Sequence, residues 1–328
     1  MKAVAYTPCM AGDWNEFVKH SKNGTFLFDR GFMDYHSDRF EDASLVFLDD
    51  KGNICGLLPA NFCRSGHVVQ THGGLTYGGF VLGEKAVQLS ANRMLALAAS
   101  YYAGKLGAVS MLYKPVPHIY HTLPAGEDLY ALFAAGAQLS GRGVSSALCP
   151  AIHPHQRQSR RGGVVKARKN GITIEQAGAQ SSELKAFHGI LSQVLAERHN
   201  AKPVHSLQEM QLLMQRFAGI KLFVAKLGDE VLSGVWMFET PRVAHTQYIA
   251  TCDRGKSLGA GDLLIDSLVS EQYAGKPWFD FGISTERGGQ WLNRGLVFEK
   301  EGFGGRTVCY DTYTLDLGRA IDRLKDFV

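Results

Sequence analysis

Gly255-Lys256-Ser257-Leu258-Gly259-Ala260-Gly261 stands between an apolar run, residues 243–252, and a segment where Leu264 and Leu268, and Ile265 and Val269, recur four apart. The run reads as a strand and the recurrence as one face of a helix. A Gly-rich entry to a helix offers unpaired N–H groups and the positive end of the helix dipole, which suits a pyrophosphate. Arg254 and Lys256 would add charge, while Gly259 and Gly261 would let the backbone approach the anion. The order is neither G-x-x-x-x-G-K-S/T nor G-x-G-x-x-G, so a P-loop and a dinucleotide loop are not indicated. The competing reading is a mobile loop that caps a helix.

The elements around this stretch are met again in the first half of the chain. Lys221 to Ala225 and Val231 to Phe238 flank a turn at Gly228-Asp229-Glu230, as Leu45 to Leu48 and Ile54 to Leu58 flank Asp49-Asp50-Lys51-Gly52-Asn53. Apolar strands about an Asp/Gly turn are hairpins, because those residues tolerate the turn's backbone angles. Gly56 and Gly234 fall early in the two second strands. A third strand follows (Val68 to Thr71, Val243 to Cys252), then a Gly-rich loop and a helix, with Met94, Leu97, Ala98 and Tyr101 on one face in the first copy. Both helices end in Tyr-Ala-Gly-Lys, 102–105 and 273–276, where Gly suits a C′ cap. Each then enters a further strand, Val109 to Tyr113 or Trp278 to Gly282. One order found twice predicts two tandem α/β domains, residues 1–152 and 153–328.

Between the copies, Arg157 to Lys169 holds six basic residues and no acid. Gly162-Gly163 argues against one continuous basic helix, so the segment reads as an interdomain feature rather than a tRNA site. Leu184, Phe187, Leu191 and Leu195 mark the next helix, broken at Arg198-His199-Asn200-Ala201-Lys202-Pro203, and Ser206-Leu207-Gln208-Glu209 is a capping box. At 328 residues, 45% hydrophobic and 20% charged, the chain is of ordinary globular composition. A net charge of +4 is too small to imply a nucleic-acid partner. The sequence shows no signal-peptide pattern and no membrane-length apolar run, so a cytoplasmic protein is expected. Six scattered cysteines predict small buried hydrophobes rather than disulfides. His118/His121 and His153/His155 lack a neighbouring carboxylate, so no metal site is expected.

The order strand, Gly-rich loop, helix, strand resembles the coenzyme A site of GNAT acyltransferases, with Lys256-Ser257-Leu258-Gly259-Ala260-Gly261 similar to their Q/R-x-x-G-x-G/A loop. Phe279-Asp280-Phe281-Gly282, Gly288 and Gly289, Gly295-Leu296 and Lys300-Glu301-Gly302-Phe303-Gly304-Gly305 resemble the Fem-like branch, with its F-K-x-x-F-G signature. Glu299 replaces the aromatic residue before the lysine. The resemblance implies two tandem GNAT domains, each a mixed, mostly antiparallel sheet flanked by helices. It also implies acyl or aminoacyl transfer to an amine, with the donor on the second copy.

Aminolysis of an ester or thioester needs a neutral amine, a donor to the developing oxyanion and a path for the proton. An interrupted strand would supply a backbone N–H to that oxyanion. Lys300, Glu299, Asp280 and Glu286 are the catalytic candidates, and Arg254, Lys256, Gly259 and Gly261 the cofactor-binding ones. Arg30, Tyr77, Arg198 and His199 would wall an acceptor groove, whose cations suit an anionic acceptor. The expected activity is an N-acyltransferase using acyl-CoA, acetyl-CoA first, on a small polar amine such as a nucleotide-linked amino sugar or another cell-envelope precursor. The alternatives are an aminoacyl-tRNA-dependent Fem-like transferase and a non-catalytic GNAT-fold binding module.

Overall fold

The computed structural model describes residues 1–327, apart from the side chains of Arg198 and His199. Its early elements are β1 (Lys2–Ala5), α1 (Ala11–Lys19), α2 (Arg30–Met33), β2 (Glu41–Asp42), β3 (Leu45–Leu48), β4 (Ile54–Leu58), β5 (Asn61–Cys63) and β6 (Val68–Gln70). There follow β7 (Val81–Leu82), α3 (Gln88–Leu106), β8 (Ser110–Tyr113), α4 (Glu127–Ala135), β9 (Gln138–Leu148), α5 (Gln158–Lys169), β10 (Thr173–Ala177), α6 (Ser182–His199) and α7 (Leu207–Arg216). The later elements are β11 (Ile220–Leu227), β12 (Glu230–Glu239), β13 (Val243–Thr251), α8 (Asp253–Leu258), α9 (Ala260–Ser267) and β14 (Trp278–Ile283). The last are β15 (Thr285–Glu286), β16 (Trp291–Leu292), α10 (Arg294–Gly302), β17 (Arg306–Asp316) and α11 (Leu317–Leu324).

Two compact units emerge. The first takes Met1–Gly143, Thr285–Trp291 and Cys309–Val328; the second takes Val144–Ser284 and Leu292–Val308. Chain order alone therefore does not assign a residue to its unit. In the first, the strands run β1-β3-β4-β7 in one sheet and β17-β8-β6-β5-β2 in another. The β3–β4 hairpin is closed by Asp49, whose Oδ1 accepts from the N–H groups of Lys51 and Asn53. Met94, Leu95, Ala98 and Tyr102 of α3 enter the core with Phe47, Phe80, Met111 and Tyr113. That helix runs beyond Tyr-Ala-Gly-Lys and stops at Gly107, whose φ of 63° makes it the left-handed cap in place of Gly104.

The second unit orders its strands β10-β11-β12-β13-β14-β9, antiparallel except for β13 against β14. Leu227 and Glu230 face each other, so the turn is Gly228-Asp229 alone and Glu230 already belongs to β12. Gly234 is glycine because a Cβ there would strike the Phe187 ring of α6. The capping box forms as read: Ser206 Oγ accepts from Glu209 N–H at 3.2 Å, and Glu209 Oε2 from Ser206 N–H at 2.7 Å. Val235, Met237, Leu264, Leu268, Phe279 and Phe281 fill the core between this sheet and α9.

Candidate active site

Two adjacent strands of the second unit are deformed where they part. The β13–β14 ladder holds only Val243↔Trp278, Ala244↔Phe279 and His245↔Asp280. Just beyond it, Trp236 pairs with Tyr248 and Met237 with Thr246, so Gln247 is the extra residue of a β-bulge. On β14, register against β9 slips between Asp280 and Ile283, around Gly282 at φ 74°. A bulge turns ladder groups away from their partner strand. The buried Thr246 Oγ1, Gln247 Oε1 and Ser284 Oγ find no hydrogen-bond partner there. Buried polar groups are nearly always paired, so three orphans on two neighbouring deformations single this place out as a candidate site.

Lys300, near the end of α10, lies against the β14 deformation. It is 9% exposed, and its Nζ donates to Gly282 O at 2.8 Å and Ile283 O at 3.0 Å. Burial pushes its ammonium down to about 8, while the charges of Asp280 and Glu299 work the other way. Asp280 is fully buried; its Oδ1 accepts from Ser145 Oγ and, at 3.1 Å, from Gly282 N–H. Its Oδ2 lies 2.9 Å from His245 Nδ1. Lys300 and Asp280 are thus brought together as the sequence led one to expect. His245 was not among the expected site residues. Its signal was a lone imidazole inside the apolar strand Val243-Ala244-His245, and only the register shows that it faces Asp280.

Glu299 is exposed and lies 3.9 Å from Arg160, and Glu286 is an exposed residue of the first unit. Arg30 is no surface cation. Its guanidinium pairs with Asp34 at 2.6 Å and with Asp42, and lies 3.7 Å over the Tyr6 ring. Tyr77 is buried with Phe28 and Tyr120, its hydroxyl donating to Thr25 Oγ1. Both therefore serve the core of the first unit, because the chain around them folds the charge and the ring inward. The side chains of Arg198 and His199 lie outside the described residues.

The Gly-rich stretch differs from an open phosphate loop. Residues 253–258 already form α8, Arg254 pairs with Glu230, and Lys256 pairs with Asp253 at 2.6 Å. Gly259, at φ 78°, ends α8 and begins α9. The basic segment is one helix, α5, passing straight through Gly162-Gly163. Gly163 permits contact instead of breaking the helix: a Cβ on it would overlap the Asp262 carboxylate and one on Gly259 would overlap the Gly163 carbonyl, while Gly162 has open space around it. Arg160 donates to Asp262 at 2.8 Å and sits 4.8 Å over the Phe303 ring, while Arg157 sits 3.9 Å over Phe298. The first turn of α9 is therefore roofed by α5, with Asp262 there as the acid that favours a helix N-terminus. Gly261 abuts Thr251 of β13. Among the described residues no group of three or more His, Cys, Asp or Glu could hold a metal ion.

Residues 154–288 match the family model described as an acetyltransferase (GNAT) domain. No curated protein sequence matches the chain. Among solved structures the chain is similar to FemX, at 14% identity, covering 99% of both chains with a TM-score of 0.67. It is also similar to L-PGS from Bacillus licheniformis, at 13% identity over 98% of this chain and 96% of that one, TM-score 0.61. A tandem GNAT protein from the clavulanic acid biosynthesis pathway aligns at 11% identity over 97% and 98%, TM-score 0.51.

Proposed function

We propose that this chain is an acyltransferase with a tandem GNAT fold like that of FemX, and that it moves an aminoacyl group from an activated ester to the amine of a small polar acceptor. The reaction centre is the parting of β13 and β14. The amine nitrogen attacks the ester carbonyl, and charge gathers on the carbonyl oxygen. Lys300 spends two N–H donors on Gly282 O and Ile283 O, which fixes its ammonium and leaves a third for that oxyanion. A fixed donor in a dry site is worth about 10²–10³ in rate. A cell-envelope precursor as acceptor is what the Fem-like resemblance implies.

The observation that carries the choice of donor is the α5 roof. Helix α5 packs on the first turn of α9, with Gly163 against Gly259, and Asp262 there sets a carboxylate where a pyrophosphate would sit, which disfavours an anion. This favours an aminoacyl ester over coenzyme A as donor. The test is mass-spectrometric detection of a new amide on a panel of amino sugars and amino-acid amides, with either mixed aminoacyl-tRNA or acetyl-CoA supplied. Amide from aminoacyl-tRNA alone, with no calorimetric coenzyme A binding, is expected. Amide from acetyl-CoA with saturable coenzyme A binding would overturn the donor, and none from either source would overturn acyl transfer.

A further inference from the structure

We infer that His245 is the proton acceptor for the attacking amine, held in the required tautomer by Asp280. The inference rests on the acyl-transfer reading above and adds to it the residue that handles the proton. An amine that attacks as a nucleophile carries a surplus proton once the C–N bond forms, and Lys300, itself a donor, is the wrong group to take it.

The geometry supplies an acceptor beside it. Three donors converge on the Asp280 carboxylate: Ser145 Oγ–H, Gly282 N–H and the Nδ1–H of His245. Since Asp280 is fully buried and ringed by donors, Nδ1 is the imidazole nitrogen that carries hydrogen, and Nε2 keeps its lone pair. A Cβ built on Gly282 would lie 3.2 Å from Cε1 and 3.8 Å from Nε2. The Cε1–Nε2 edge of the ring therefore lies along the bare Gly282 backbone, at the β14 deformation that Lys300 also contacts. Glycine is needed there twice over, for its φ of 74° and for the space the ring takes.

His245 faces Phe238 across β12 and so shares a sheet face with Trp236, which is two residues along and in ring contact with Phe238 and with His205. That is the face under the segment linking α6 to α7, from which His205 reaches Tyr248 at 2.8 Å. Among the described residues, the titratable groups that these contacts place near the imidazole include Asp280 and Lys300, and on the same sheet face His205, Tyr248 and His188 of α6. In the step, the amine N–C bond forms while Nε2 takes the amine proton; the carbonyl C–O bond to the leaving group breaks as Nε2 returns that proton to the departing oxygen. Atoms and charge balance without any further reactant.

Two measurements on the full chain test this. Nitrogen-15 NMR of histidine-labelled protein, with His245 assigned by its loss in His245→Gln, is expected to show the Nδ1–H tautomer at pH 7.5. Asp280→Asn is expected to abolish that preference. A wild-type His245 in the Nε2–H tautomer would overturn the inference. In the amide-forming assay, His245→Gln, with its fold checked by circular dichroism, is expected to lose about 10²–10⁴-fold in single-turnover rate. A wild-type rate in His245→Gln would overturn His245 as the acceptor while leaving acyl transfer standing. Failure of the wild-type enzyme with every donor would remove acyl transfer, and the tautomer would still decide whether Nε2 is an acceptor.

Discussion

Lys300 should make the protein more stable as pH rises from neutrality to about 9.5. Its ammonium loses the proton at about 8 in the folded chain but near 10.5 when unfolded. Between those values the unfolded chain binds more protons, so raising pH favours the folded state. At pH 7 the buried charge costs about 3 kcal/mol, from 1.36 kcal/mol for each pKa unit. Linkage returns about 2 kcal/mol of this between pH 7.5 and 9.5. Lys114 is a half-buried lysine also pushed down to about 8 by desolvation, with Nζ donating to His72 O at 2.9 Å and Leu75 O at 2.5 Å. It adds a similar slope, so the variant must isolate one of them. Lys300→Met removes the charge cost but leaves the Gly282 and Ile283 carbonyls without donors, about 1–3 kcal/mol each. These opposing effects keep the variant close to wild type at pH 7. Urea unfolding at pH 7.5, 8.5 and 9.5 should show wild type pulling ahead of Lys300→Met by about 2 kcal/mol across the series. A constant difference would mean that the ammonium is not desolvated, and the argument for a fixed, dry oxyanion donor would fall with it.

Gly259→Val should lower thermal stability by more than about 2 kcal/mol, since strained φ and overpacking each cost 1–3 kcal/mol; an unchanged melting temperature would mean that α5 does not press on α9. Arg30→Ala should destabilise by about 1–2 kcal/mol, mainly through lost contact of its buried guanidinium with Tyr6 because Asp34 and Asp42 are solvated, read by urea unfolding; a change below 0.5 kcal/mol, the size typical of surface sites, would restore Arg30 as a surface residue. Arg160→Met with Asp262→Asn, taken as a double-mutant cycle, should couple by about 1 kcal/mol, because the pair is only 22% and 18% exposed. Additive effects would show that the roof over α9 is held by packing alone.

The repeated hairpins, the capping box at Ser206 and the apolar faces of α3 and α9 were legible because each follows from residues within a few positions of one another. Periodicity and turn chemistry are local, and they sufficed for the α/β architecture and the tandem order. Lys300 and Asp280 were legible as candidates through their signature. What local pattern does not contain is which face a charge turns to. Arg30 stands with Asp29 among Phe26, Leu27, Phe28 and Phe32, and only the fold shows that its guanidinium turns onto Tyr6 and Asp42. Gly162-Gly163 looked like a helix breaker, since glycine loses entropy in a helix. Contact between α5 and α9, residues about a hundred positions apart, makes the missing side chain of Gly163 an advantage. The pairing of His245 with Asp280 depends on the register of a parallel ladder between strands 35 residues apart. Register is set by the packing of whole sheet faces, so only the tertiary structure could bring an imidazole, a carboxylate and an ammonium to one deformation.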